Sequence, residues 1–231
     1  MDYFLKEYKK KCIEEFGGYG FKTYRNYHYR LVNDVFQSFS LHRSHYGTDA
    51  TVEFCVLPLS QEYNIDKTTC GTMHLKRFEN SAEWFPYITS DEESVNICIG
   101  QMLSYMTKYL MPFFEKAKSC IEAYEMLKLF DADKEVAFNE YPKMIMALKN
   151  EQYLYAKQHI INIIKQIEYA FERNKEAFGE NITQEYIQKM EKKISEKQNL
   201  LRLIETKEYN AIQEWLNTNE KRNKHNLGVK D

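Results

Sequence analysis

The stretch from Phe21 to His45 limits the choice of fold more than any other part of this chain. Phe21 to Val32 (FKTYRNYHYRLV) is dense in aromatic side chains, Val35 to His45 continues in the same vein, and only Asn33-Asp34 separates them. Two turn-prone residues between two strand-like runs read as a β-hairpin. A two-residue turn also sets the register, placing Val32 opposite Val35, Tyr29 opposite Ser38 and Arg25 opposite His42. Gly47-Thr48-Asp49 supplies the next turn. Ala50 to Leu57 then alternates, with Val52, Phe54 and Val56 facing a core and Thr51, Glu53 and Cys55 facing away from it. A fourth strand over Thr72–Phe78 completes the expected antiparallel meander.

Helices flank this meander. Phe4, Tyr8, Cys12 and Phe16 recur every four residues, which predicts an amphipathic helix from Asp2 to Phe16, stopped by Gly17, Gly18 and Gly20. Ser90-Asp91-Glu92-Glu93 matches a capping box and predicts a long helix from Asp91 through Lys118. Pro112 inside that helix predicts a kink or break. A helix over Ser119–Phe130 and a linker over Asp131–Glu140 follow. Pro142 fits a first helical turn. The stripes Ala156, Ile160, Ile163, Ile167 and Met190, Ile194, Leu201, Ile204 carry the helical pattern onward, ALKNEQYLYAKQHI reads as a helical hairpin, and KRNKHNLGVKD reads as a frayed tail. The charged runs Glu191-Lys192-Lys193 and Glu196-Lys197 read as solvated helix faces. Glycine (8) and proline (4) are too scarce for disorder or a loop-rich all-β protein. The expected class is therefore α+β. Residues 1–130 form an antiparallel sheet of three to five strands packed by helices, and residues 131–231 form an all-helical extension.

Several function classes lose their support at this point. With 32 basic and 34 acidic side chains the net charge is -2, which lacks the footprint of a nucleic-acid binder. The N-terminal residues contain no apolar signal-peptide core, and no apolar run approaches the ~18 residues of a membrane span. Five cysteines without a C-x-x-C pair suit a reducing cytoplasm. Gly17-Gly18-Tyr19-Gly20 follows a helix and precedes a strand, the reverse of a phosphate loop. No G-x-S-x-G, S-x-x-K or H-E-x-x-H occurs. His42 with His45, or Cys70 with His74, could be read as metal ligands. Strand parity sets the first pair on opposite faces unless the strand ends between them, and the second lacks the paired motif of a zinc site. No metal, cofactor, nucleic acid or membrane is expected as a partner.

The hairpin's polar face remains, with Arg25, Tyr27, Tyr29, Ser38, Ser40 and His42 together on it. Its interleaved rings resemble a stacking platform, but residues 1–90 hold 11 basic and 11 acidic side chains, so no positive field surrounds it. The bland reading buries these tyrosines beneath a helix. The functional reading is a non-catalytic cytoplasmic binding or adaptor protein with Arg25, Tyr27, Tyr29, Ser40 and His42 in its contact surface. One version is an immunity-type protein acting by protein–protein contact. The rival is a small-molecule enzyme of unrecognised class, with His42, Arg25 and Glu53 in a cleft over the sheet face.

Gly20-Phe21, Tyr29-Arg30, Leu41-His42-Arg43-Ser44, Trp84 and Leu110-Met111-Pro112-Phe113 occur in an order that resembles the uncharacterised bacterial domain-of-unknown-function family numbered 4304, over roughly residues 1–130. His42-Arg43-Ser44 departs from the Gln-Lys-Ser of that family's second strand. The resemblance implies a compact α+β domain of bacterial cytoplasm and no particular activity.

Overall fold

Asp2 opens the first helix, its carboxylate accepting the backbone N–H of Leu5 at 2.8 Å, as an N-cap residue does. Helix α1 then runs Tyr3–Phe16 and buries Phe4, Tyr8, Cys12 and Phe16, the expected stripe. The computed structural model describes residues 2–70, 73–78, 84–128 and 140–229. Within them the strands are β1 (Lys22–Tyr24), β2 (Tyr27–Val32), β3 (Val35–Arg43), β4 (Asp49–Pro58), β5 (Met73–His74) and β6 (Phe85–Pro86). All pairings are antiparallel, in the order β1-β2-β3-β4-β5, with β6 also on β4.

The central hairpin has the register its turn dictates, Val32 opposite Val35 and Tyr29 opposite Ser38. The first strand, however, is two. Arg25 takes a left-handed conformation (φ 56°), rare for a residue with a side chain. Tyr24 pairs with Tyr27, so Arg25-Asn26 is a second two-residue turn. Arg25 therefore does not face His42, whose partner across the ladder is Thr51 on β4. The fourth strand is also shorter than expected. Met73 and His74 pair with Phe54 and Glu53, and Leu75–Phe78 turns into a 3₁₀ helix.

The two sheet faces follow from this register. One face carries His28, Arg30, Gln37, Phe39, Leu41, Val52, Phe54 and Val56 beneath the helices. The other carries Tyr27, Tyr29, Phe36, Ser38, Ser40, His42, Thr51, Glu53, Cys55, Leu57 and His74.

Over the first face lie α1, α2 (Glu92–Tyr105) and α3 (Met111–Lys116), the last two joined by a π-helical turn over Met106–Leu110. Helix α2 is capped by Asp91, one residue later than the capping box suggests. The break expected at Pro112 takes the form of that π turn. A proline cannot donate to the carbonyl four residues back and crowds it, and the wider turn relieves both problems. Gln37, fully buried under α3, donates to the carbonyls of Phe114 (2.9 Å) and Ala117 (2.8 Å) and accepts from Arg30 Nε (2.7 Å). Arg30 in turn reaches Glu115 at 2.8 Å. The hairpin turn docks on the next helix, α4 (Cys120–Lys128). Asn33 donates to the Lys118 carbonyl at 3.0 Å, and Asp34 Oδ1 accepts the Cys120 N–H at 2.9 Å.

All but the last residue of the linker expected over Asp131–Glu140 lies outside the described residues. From Glu140 onward the chain is helical: α5 (Glu140–Lys149), α6 (Tyr153–Phe178), α7 (Gln184–Glu205) and α8 (Tyr209–Asn226). Helices α5 and α6 form the expected hairpin, joined to α4 through a chain of contacts. Tyr124 Oη lies 3.0 Å from His159 Nε2, and His159 Nδ1 lies 2.9 Å from Glu140. A single contiguous apolar cluster runs from Phe4 and Phe39 through Phe114 to Met144, Ile160 and Leu216. The C-terminal segment is not frayed. Asn223 and Leu227 are buried, because this end of the chain docks beside the sheet.

Candidate functional site

The second sheet face is divided into a covered half and an open half. The segment 59–70 crosses the half nearest the Asn33-Asp34 turn. Leu59 and Ile65 join Tyr29, Phe36, Cys55, Leu57 and Leu227 in a small apolar cluster, and Ser38 Oγ donates to the Thr69 carbonyl at 2.7 Å. Asn223 on α8 holds the crossing segment in place. Its amide donates to the carbonyls of Leu59 (2.8 Å) and Gln61 (2.9 Å) and accepts the Ile65 N–H (2.9 Å). Tyr29, at 8% exposure, and Ser40, at 3%, are therefore buried rather than offered to a partner. The cover is a loop and the chain's C-terminal end, and the long helices lie on the opposite face.

The far half is partly open, and a different set of residues meets there. Glu53 stands opposite Ser40 on one side and His74 on the other, and His42 is the next residue along that face. His42 Nδ1 lies 2.9 Å and His74 Nε2 3.4 Å from the same carboxylate oxygen of Glu53. The Trp84 ring flanks both imidazoles, with centroids 5.3 Å from His42 and 6.1 Å from His74. The His42 side chain is 42% exposed and that of Glu53 23%. Thr51, opposite His42, is fully buried with its hydroxyl unpartnered. Cys70 closes one side, its thiol donating to the Glu53 carbonyl at 3.4 Å.

Of the residues expected in the site, His42 is present, Tyr27 borders it half-buried, and Arg25 lies apart at the hairpin tip. There the Arg25 guanidinium sits 5.4 Å and the Lys67 ammonium 5.8 Å from the centroid of the Tyr24 ring, both within cation–π reach. Glu53 shares the face of His42, as strand parity requires. His74 and Trp84 complete the group. His74 lies in the fourth strand expected over Thr72–Phe78, but neither its register against Glu53 nor the position of Trp84 could be set from sequence, since a two-residue strand and an edge position leave no periodic signal.

The chemistry open to this group follows from its geometry. Each imidazole brings a ring nitrogen within ion-pair distance of Glu53 Oε1 without the alignment of a hydrogen bond, and Oε2 has no hydrogen bond among the described residues. A free carboxylate oxygen beside an indole face suits a cation. The 2.9 Å approach of His42 to Glu53 sets a carboxylate beside a candidate general base without a hydrogen bond that would orient it. Among the described residues, though, no hydroxyl or thiol is hydrogen-bonded to His42, so no nucleophile is placed for it to activate. No group of three or more His, Cys, Asp and Glu side chains among the described residues is arranged to hold a metal ion, and no helix there is long and apolar enough to cross a membrane.

Comparison with known proteins adds no relative. No protein-family model matches the chain, and no curated protein and no solved structure matches it.

Proposed function

We propose that this chain is a non-catalytic cytoplasmic binding protein of the adaptor or immunity type, acting by protein–protein contact through the open end of its second sheet face. The observation that carries the reading is the clustering of Trp84, His42 and His74 around Glu53, whose second oxygen has no hydrogen bond among the described residues. Rings and a carboxylate on a rigid strand scaffold are the makings of an anchor site, because little side-chain freedom is lost on binding. The partner presents a Lys or Arg side chain to Glu53 and an acidic side chain to Arg25 and Lys67 at the hairpin tip, a charge pattern that also sets register. The order of residues resembling the family numbered 4304 is consistent with this reading and supplies no activity that competes with it.

The test is capture from native host lysate by immobilised wild type, Glu53→Gln and Trp84→Ala, with Tyr169→Ala on the exposed side of α6 as control. One stoichiometric protein held by wild type and the control but released by both site variants supports the reading. Equal retention by all four, or none by any, defeats it.

A second reading, a small-molecule enzyme with a site over the sheet face, is favoured by the 2.9 Å His42–Glu53 contact alone. Turnover of a metabolite extract that disappears with His42→Ala would support it.

A further inference from the structure

A concavity lies away from the sheet face, between the facing sides of α7 and α8. It has a volume of about 620 Å³ and is closed at one end by the segment around Glu62 and by Tyr141 of α5. That volume is in the range of small-molecule sites. Trp215, Asn219 and Arg222 line it from α8, and Lys193, Lys197 and Leu200 line it from α7. Their spacings of three and four residues put each set on one helix face.

The polar groups here are unevenly satisfied. Lys197, read from sequence as part of a solvated run, has a side chain only 2% exposed. Its ammonium bridges both carboxylate oxygens of Glu62, at 2.6 and 2.5 Å, and lies 5.1 Å from the centroid of the Tyr141 ring. This pair is closed on itself. Asn219 is the reverse case: it is 4% exposed, and its amide makes no hydrogen bond among the described residues. Arg222 donates through Nη2 to the carbonyls of Gln61 and Glu62, but its Nε is buried without a partner and no carboxylate among the described residues pairs with it. Lys193, at the rim, has no ion pair among the described residues, whereas Glu196 lies 4.0 Å from Lys192. Buried unsatisfied donors are costly, and Asn219 and Arg222 place two of them three residues apart on the α8 face that lines the cleft, where an acceptor would complete them.

The requirements on that acceptor are specific. Two unpaired donors and two unneutralised cations ask for an oxyanion, and the Trp215 face beside Leu200 asks for a flat or apolar body. Tyr141 adds a further donor. Burial, and then the carboxylates of Glu62 and Glu196, push its phenol up to about 12, so it keeps its proton at neutral pH. We propose that the cleft between α7 and α8 is a binding site for a small aromatic oxyanion, a ring against Trp215 carrying a carboxylate or phosphate received by Asn219, Arg222 and Lys193. The site is separate from the sheet-face contact, and neither proposal depends on the other.

Trp84 and Trp215 are the two tryptophans, so a Trp84→Phe background isolates the reporter in the cleft. Its fluorescence would be titrated with phenyl phosphate, benzoate, inorganic phosphate and cyclohexanol. Saturable quenching by phenyl phosphate, benzoate or both, with no saturation by the two fragments, supports the site, and the ratio of the two affinities tells phosphate from carboxylate. Asn219→Leu, which keeps the side chain's shape, is expected to weaken that binding about tenfold, the worth of one charge-assisted hydrogen bond. The same variant should raise the Tm of the unliganded protein, because it removes an unpaired buried amide. No saturation by any probe at about 10 mM, a concentration that reveals even very weak complexes, overturns the proposal. So does binding that Asn219→Leu leaves unchanged, or inorganic phosphate binding as well as the ringed probes.

Discussion

Asn223 and Ile65 are separated by 158 positions in sequence, yet the Ile65 N–H is satisfied by the Asn223 side chain at 2.9 Å. The same amide donates to Leu59 and Gln61, so one buried side chain supplies three hydrogen bonds to a segment that has no ladder of its own. Asn223→Leu should cost about 3 kcal/mol, since it leaves the Ile65 N–H and the Leu59 carbonyl unpaired, while the Gln61 carbonyl keeps its bond from Arg222. Urea unfolding would read the loss, and amide exchange should accelerate across 59–65 before it does in β3.

Gln37 plays the corresponding part on the helix side of the sheet, terminating α3 from below. Gln37→Leu strands the Ala117 carbonyl and Arg30 Nε and leaves the Phe114 carbonyl only the Ala117 N–H at 3.3 Å, and should also cost about 3 kcal/mol. Gln37→Glu keeps the acceptor for Arg30 but turns a carboxylate oxygen on the two carbonyls. A midpoint well below wild type for both variants would assign the loss to the missing donor.

His28 predicts a pH dependence. Its ring stacks on Phe39 at 4.7 Å, is 1% exposed, and has Nε2 unpartnered. Burial first, and then the positive charge of Lys9, lower its pKa from 6.5 to about 4. The folded protein therefore holds it neutral where the unfolded chain would protonate it. Its contribution is complete above pH 6.5 and is lost progressively as pH falls from there towards 4, by about 3 kcal/mol. His28→Phe should flatten that part of the stability–pH curve.

The cysteines differ in access. Cys12, Cys55, Cys98 and Cys120 are buried, and burial raises the thiols of Cys12 and Cys98 to about 12 and pushes that of Cys120 well above the ordinary value. Cys70 alone is half exposed. A thiol reagent should label one site per chain in the native protein, at Cys70, and all five only after unfolding. Prompt labelling of two or more would contradict the burial.

The central hairpin was legible because Asn33-Asp34 and the alternation around it act on the same register. Glu53 followed from parity once that register was set. The turn at Arg25-Asn26 was not legible, because no glycine announces it. A positive φ at an arginine is held there by the Tyr24–Tyr27 pair and the ladder beyond it. The same limit hid the cover over Tyr29. Asn223 and Leu227 sit in a polar C-terminal stretch whose composition matches a tail, and only tertiary docking turns them inward. In the same way, no local pattern distinguishes the buried Lys197 from the exposed lysines beside it.

The closure of the second sheet face by Leu227 has a consequence for synthesis. Phe36, Leu57 and Tyr29 emerge from the ribosome well before Leu227, which joins their cover and follows Leu57 by 170 positions. Until then the half-built sheet carries an unprotected apolar strip next to strand edges, the kind of surface that nascent chains bury in one another. A shortened product lacking α8 should therefore be found with chaperones or in the insoluble fraction, even though it already contains every strand of the sheet among the described residues.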